Sequence, residues 1–322
     1  MFARFMVLAP MLLTWALPVS AEEQLSLKQQ LEAIEPDPTG MVNITHYVAS
    51  NEQHYAMAFQ FLEEVGGVYI GIATDQNFLL LPLLKPDYAI MMDLDQWVVD
   101  THRIYNYVFT TRETPKEFIR FFAEKNATKS LKELKKHFTD PEEKKGVVRV
   151  FRRYRDKING RLYGEKNRIK RHKQKSFLDD QESYDFMVKL CKENRFIAVR
   201  GNLVGDKSMT QMATILNKNN LKVGAISLSN AEQYFDFTTA FRRNMSGFSY
   251  LDKGIIVRTN RENKYNRYEY YLQSSTDFLA WLKIDSAKDV QALLKTKKDI
   301  NKKRVYQLSG PPQPADKSEE KK

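Results

Sequence analysis

Residues 68–77 read VYIGIATDQN. An apolar run of strand length, Val68 to Ala73, stops at the polar turn Thr74-Asp75-Gln76-Asn77, and FLLLPLLK (78–85) follows as a short helix held in check by Pro82 and Pro86. The run does not alternate, so it predicts a strand buried on both faces, as in a parallel sheet. Working outward, YAIMMDLD (88–95) repeats the strand and closes on acids, and QWVVDTHRIYNYVF (96–109) repeats the helix. Upstream, Ser50 to Gln53 has capping-box spacing, and Tyr55, Ala58, Phe59, Leu62 and Val65 recur with helical period. That predicts a helix ended by Gly66-Gly67. The alternation resumes with strands FIAVRG (196–201), KVGAISLSN (222–230), GIIVRT (254–259) and EYYLQ (269–273). KSMTQMATILNKNN (207–220), DFLAWL (277–282) and AKDVQALLK (287–295) read as helices. The pattern predicts an α/β fold with a mostly parallel sheet flanked by helices.

The 322 residues are 42% apolar and 12% aromatic, sufficient for a sizeable core. The net charge of +11 is concentrated. Residues 116–175 hold 21 Lys or Arg against 8 Asp or Glu, while the rest of the chain is close to neutral. This segment reads as a basic helical insertion. Thr114-Pro115-Lys116-Glu117 opens it, with Thr as cap, Pro in the first position and Glu three after the cap. Within it, Arg152, Arg153, Arg155, Arg168, Lys170 and Arg171 are interleaved with aromatics as a basic surface. Such a surface either grips an anionic partner or is a solvated helix face.

The first residues have the shape of a secretory signal: Arg4, an apolar stretch from Met6 to Val19, and Val19-Ser20-Ala21 before Glu22-Glu23. A cut after Ala21 predicts a periplasmic or secreted protein with no transmembrane segment in the mature chain; retention as an anchor is the alternative. Export counts against nucleic acid as partner and favours an anionic envelope component or a small-molecule ligand. The single cysteine, Cys191, excludes internal disulfides and reads as a buried thiol on a helix. The expected organisation is a signal peptide at 1–21, an irregular segment at 22–46, the first half of the α/β domain at 47–113, the insertion at 114–195, the second half at 196–307 and a disordered tail at 308–322.

Ligands of open α/β sheets bind at the carboxyl ends of the strands. Four polar turns should meet there: Thr74 to Asn77, Asp93 and Asp95, RGNLVGDKS (200–208) and SLSNAEQYF (227–235). The first turn lacks the glycines of G-x-G-x-x-G, since Ala73 stands where a second would be. Asp93 or Asp95 falls about where dinucleotide folds keep an acid for ribose hydroxyls, and Asp95 equally suits a helix cap. His102, near Tyr105 on a helix face, reads as structural before catalytic. There is no H-E-x-x-H or other metal-ligand spacing, no G-x-S-x-G and no P-loop, so no metal is expected.

With these motifs in this order, the chain resembles a bacterial family of uncharacterised exported proteins with a Rossmann-like, S-adenosylmethionine-dependent methyltransferase-like fold. The likeness spans most of 47–283 outside the insertion, and SNAEQY (229–234) is its most specific piece. The resemblance implies a ligand pocket built from Gln76, Asn77, Asp93, His102, Asn202, Asp206, Ser229, Asn230, Glu232, Gln233, Tyr234 and Arg258. It implies S-adenosylmethionine as a cofactor only through the fold. Departures at Ala73, Asn202 and Asp95-Gln96 alter the family's pattern at its anion-facing turns. The resulting expectation is a ligand-binding module of the envelope, with an exported transferase as the alternative.

Overall fold

The computed structural model describes residues 25–38, 45–262 and 267–312. The helices are α1 (Leu27–Glu32), α2 (Gln76–Leu84), α3 (Gln96–Thr111), α4 (Pro115–Phe121), α5 (Ala127–His137), α6 (Pro141–Arg171), α7 (Gln181–Lys192), α8 (Ser208–Lys218), α9 (Thr239–Ser246), α10 (Ser275–Leu282) and α11 (Val290–Leu294). The strands are β1 (Val68–Ile72), β2 (Tyr88–Asp93), β3 (Phe196–Arg200), β4 (Val223–Ser227), β5 (Tyr250–Glu262), β6 (Arg267–Ser274), β7 (Lys298–Asp299) and β8 (Val305–Leu308). They form one sheet in the order β3-β2-β1-β4-β5-β6-β8-β7. The first five strands run parallel, β6 returns antiparallel to β5, β8 lies parallel to β6, and β7 is antiparallel to β8.

The parallel strands are buried on both sides because alternate residues enter two cores. Val68, Ile70, Ile72, Ile90, Met92, Ile226 and Ile256 face one layer of helices, α1 and α8 to α11. Tyr69, Ala89, Met91, Phe196, Ala225 and Val257 face the other, α2 to α7. This is why the strands read as continuous apolar runs. α2 is apolar all round because it is buried all round, Pro82 included. Burial pushes the Cys191 thiol up, and Cys191 packs in the core as a small hydrophobe. No helix among the described residues is long and apolar enough to cross a membrane.

Several local expectations are corrected. The segment read as a helix at 50–65 forms two 3-10 turns, Tyr55–Met57 and Phe59–Phe61, entered through His54 in the left-handed region. Ser50 and Gln53, which have capping-box spacing, cap no helix here, and Glu52 between them reaches a strand end far away in sequence. Asp75 does not cap α2; its carboxylate accepts from Ser50 N and Arg161 Nε. The stretch read as irregular holds α1, with a complete capping box between Ser26 and Gln29. The tail begins later than expected: Leu308 closes β8, and Ser309 O accepts from Trp281 Nε1 at 2.8 Å. The signal segment at 1–21 and residues 313–322 lie outside the described residues.

Candidate functional site

The strand order reverses between β1 and β4, and a doubly wound sheet opens its ligand crevice at that point, beyond the carboxyl ends. Both strands end here on non-glycine residues in the left-handed region, Ala73 (φ 73) and Ser229 (φ 52). Such backbone persists only where its surroundings hold it. Asn77 holds the first turn: its Nδ2 donates to Ile72 O at 2.7 Å and Thr74 O at 3.2 Å, and its Oδ1 accepts from Tyr69 OH at 2.7 Å. Gly71 is required beneath this clasp, because a Cβ there would stand 2.8 Å from Asn77 Cγ and 2.7 Å from the Tyr69 ring. His102 Nε2 donates to Ala73 O at 2.8 Å, which places the proton on Nε2; burial lowers the imidazole pKa to about 4. Just past β4, Ser229 O accepts from Thr259 N at 2.8 Å.

The crevice between these turns is filled by the chain itself. Glu52, 1% exposed, accepts from Ser229 Oγ with one oxygen and from Tyr55 OH at 2.6 Å with the other. Gln76 Nε2 donates to the same Ser229 Oγ at 3.3 Å. Burial pushes the Glu52 carboxyl up, and its hydroxyl donors pull against that shift. Beside it, Asp75 pairs with Arg161 of α6 at 2.7 Å, and Arg161 pairs in turn with Glu165 at 2.9 Å. The basic helical segment 114–195 therefore reaches across the carboxyl edge of the sheet. Tyr154 of α6 meets Trp97 of α3 edge-on at 5.6 Å, Arg161 meets the β1 turn, and His172, just past α6, lies 3.5 Å from His54.

The remaining expected pocket residues fall into separate places. Asp93 closes β2, and burial pushes its carboxyl up to about 7. Next to it, Asp95 caps α3 through Trp97 N and also binds His46 Nδ1 at 2.7 Å. Asn202 shapes its own turn, accepting from Val204 N at 3.1 Å. Asp206 is exposed and pairs with Arg243 at 3.0 Å. The start of α8 is occupied by Asp37, whose carboxylate accepts from Lys207 N at 2.8 Å, Ser208 N at 3.2 Å and Ser208 Oγ. Glu232 and Arg258 form a buried pair at 2.6 Å, and Arg258 Nη1 also donates to Gln273 at 2.6 Å. Gln233 braces the backbone of Arg261 through both its amide atoms.

What remains open lies on the rim. Tyr234 is 75% exposed and Tyr47 49%. Both lie near enough to the Tyr268 hydroxyl to act on it electrostatically, as do Glu52 and Arg261; burial is the larger cause that pushes Tyr268 up to about 12. Asn230 Nδ2 donates to Tyr234 OH at 3.3 Å. A cleft of about 300 Å³ continues from Tyr234 past Asp236 to Asp289 and Gln291. A second, of about 400 Å³, lies between α3 and α6 and is lined by Asp100, Arg103, Glu143 and Arg149. The basic residues of the insertion divide. Arg155 and Arg168 are largely buried and paired, with Asp156 and Glu165, whereas Arg152, Arg153, Lys170 and Arg171 face solvent.

Sequence reasoning missed Glu52, Asp37, His46 and Tyr47. Glu52, Asp37 and His46 act through contacts with distant parts of the chain, and Tyr47 through its field at Tyr268, so no local period marks them. The apolar pattern could have signalled Glu52, since an acid three residues before a buried tyrosine needs a partner. With the site in place, the comparison with protein families is direct: the chain belongs to the family described as Domain of unknown function (DUF7790), whose model matches residues 47–309. No curated protein matches it.

Proposed function

We propose that the protein is an exported binding module of the cell envelope, with its recognition surface on the rim of the carboxyl edge. Glu52 carries this reading. Its carboxylate, with Tyr55 and Ser229, takes up the crevice where a doubly wound sheet would admit a ligand. Recognition then falls to groups around it: the exposed tyrosine rings of Tyr47 and Tyr234 and the half-buried amide of Asn230. Rings for stacking next to an amide for hydrogen bonding suit an uncharged polar ligand such as an envelope glycan. The signal-like segment at 1–21 supports export. The test is retention of the purified protein on washed cell envelopes. Joint replacement Tyr47→Ala and Tyr234→Ala should lower retention about tenfold, on the scale of one lost aromatic anchor, at unchanged unfolding midpoint. Equal retention of wild type and variant would end this reading.

One observation favours a second reading, an exported transferase using S-adenosylmethionine. Asp93 ends β2 at the place where doubly wound folds present an acid to a ribose. Calorimetric titration with S-adenosylmethionine and S-adenosylhomocysteine separates the two readings. The binding module gives no heat with either, whereas micromolar binding that disappears in Asp93→Ala would replace it with the transferase.

A further inference from the structure

The cations of α6 serve two different purposes. Arg155, Arg161 and Arg168 turn inward and are consumed by carboxylates of the fold. At 100° per residue, Arg149, Arg152, Arg153, Tyr163, Lys170 and Arg171 fall on one arc of the helix. All six are exposed. Among the described residues, no carboxylate lies within ion-pair distance of Arg152, Arg153, Lys170 or Arg171. The one acid on the arc, Asp156, is held by Arg155. The cations near the middle of the helix are steadied from below: Arg149 lies 4.1 Å over the Trp97 ring, and Arg153 lies 5.8 Å over Tyr154.

From residue 149 to 171 this arc runs along one unbroken helix for about 33 Å. Its charges lie along a line and diverge, so no single small anion can bridge them. Apart from Arg149, none lines either of the two clefts. A flat array of negative groups can meet them all at once. Midway along the line stands Tyr163, 47% exposed, with a ring suited to the boundary between headgroups and acyl chains. We propose that the outward face of α6 docks on an anionic lipid bilayer, the cations on headgroup phosphates and Tyr163 between them. This stands independently of the rim and its ligand.

The test is co-sedimentation with vesicles, using the chain from residue 22, since the described fold begins at Leu25. Vesicles of phosphatidylcholine with about 30% phosphatidylglycerol should bind the protein in about 0.1 M salt and release it at about 0.5 M, where screening shortens the reach of each charge. Pure phosphatidylcholine vesicles, which forfeit the attraction of every outward cation, should bind it at least about a hundredfold more weakly. Each outward cation contributes about fivefold, so the variant with Arg152→Gln, Arg153→Gln, Lys170→Gln and Arg171→Gln should bind at least about a hundredfold more weakly. It should keep the wild-type unfolding midpoint, because among the described residues none of the four is held by a carboxylate and only Arg153 touches a ring, that of its own neighbour Tyr154. Equal binding to neutral and anionic vesicles would overturn the proposal. So would wild-type affinity in the variant, or capture by soluble polyphosphate with no capture by vesicles.

Discussion

Glu52 shows how one side chain decides whether the crevice is open. Its carboxylate joins Tyr55 on its own segment to Ser229 just past β4, 177 positions along the chain from Glu52. Removing it leaves two buried hydroxyls without their acceptor, and that omission costs more than the hydrogen bonds themselves contribute. Glu52→Ala should therefore lower stability by about 2–4 kcal/mol, read from the midpoint of urea unfolding. Glu52→Gln keeps one acceptor and offers an amide that Ser229 Oγ can accept, so its cost should stay near about 1 kcal/mol. An alanine variant as stable as wild type would mean that Glu52 rests in the crevice without holding it. The same residue marks a limit of sequence reading. In SNEQ the capping-box spacing from Ser50 points to Gln53, so nothing local singles out Glu52, and only its distant partner reveals its role.

At the scale of the element, α6 carries its own controls in its glycines. Gly146 is where α6 closes on α3: a methyl there would stand 2.7 Å from Asp100 Cγ and overlap its Oδ2. Asp100 cannot swing away freely, because Gln96 and Arg103 hold its other oxygen. Gly160 lies on the exposed arc with nothing within 4 Å of such a methyl. Gly160→Ala should stabilise the protein by about 0.5–1 kcal/mol through helix propensity alone. Gly146→Ala should destabilise it by more than about 1 kcal/mol, because overlap outweighs the same propensity gain. Thermal unfolding of the two variants checks the contrast, and shifts of the same sign would deny α6 its close seat on α3. The elements that were legible in sequence share a cause. β1 to β4 are apolar on both faces because both faces are covered, and the α4 start follows from Thr114-Pro115. The 3-10 turns at Tyr55 and Phe59, the short β7 and the crossing path of α6 are fixed by tertiary partners, so no local pattern announces them. For the same reason most of the expected pocket residues follow strand ends, while His102 lies within α3 and Arg258 within β5, and Gln76, Asn77 and Ser229 are spent on holding the turns.

Across the whole molecule, two groups shielded from water flank the turn at Ala73 and titrate in opposite directions, His102 fully buried and Asp93 half-buried at the end of β2. Asp93 has its carboxyl pushed from 3.8 up to about 7, chiefly by burial. Its stabilising effect is fully present below pH 3.8 and is lost as pH rises through about 7. His102 is depressed from 6.5 to about 4, also by burial. Its stabilising effect is present above pH 6.5 and is lost as pH falls through about 4. Each shift corresponds to something on the order of 3 kcal/mol. Glu52 and Glu232, both raised, add to the first slope. His54 and His172, both lowered, add to the second; they face each other with Arg168, Arg171, Lys303 and Arg304 around them. Between pH 4 and 6.5 the two slopes oppose, so wild-type stability should change little across that window. Asp93→Asn removes one side of the balance, and the variant should lose on the order of 3 kcal/mol on going from pH 7 to pH 4. His102→Gln removes the other and should gain stability over the same descent. Each variant is compared with itself across pH, so a general loss of stability from the substitution does not enter. Urea midpoints at pH 7, 5.5 and 4 (about one and a half units apart, enough to resolve either titration) give the slopes directly. Parallel profiles for wild type and both variants would mean that neither group is shielded as its burial requires, and that the turn at Ala73 stands open to water.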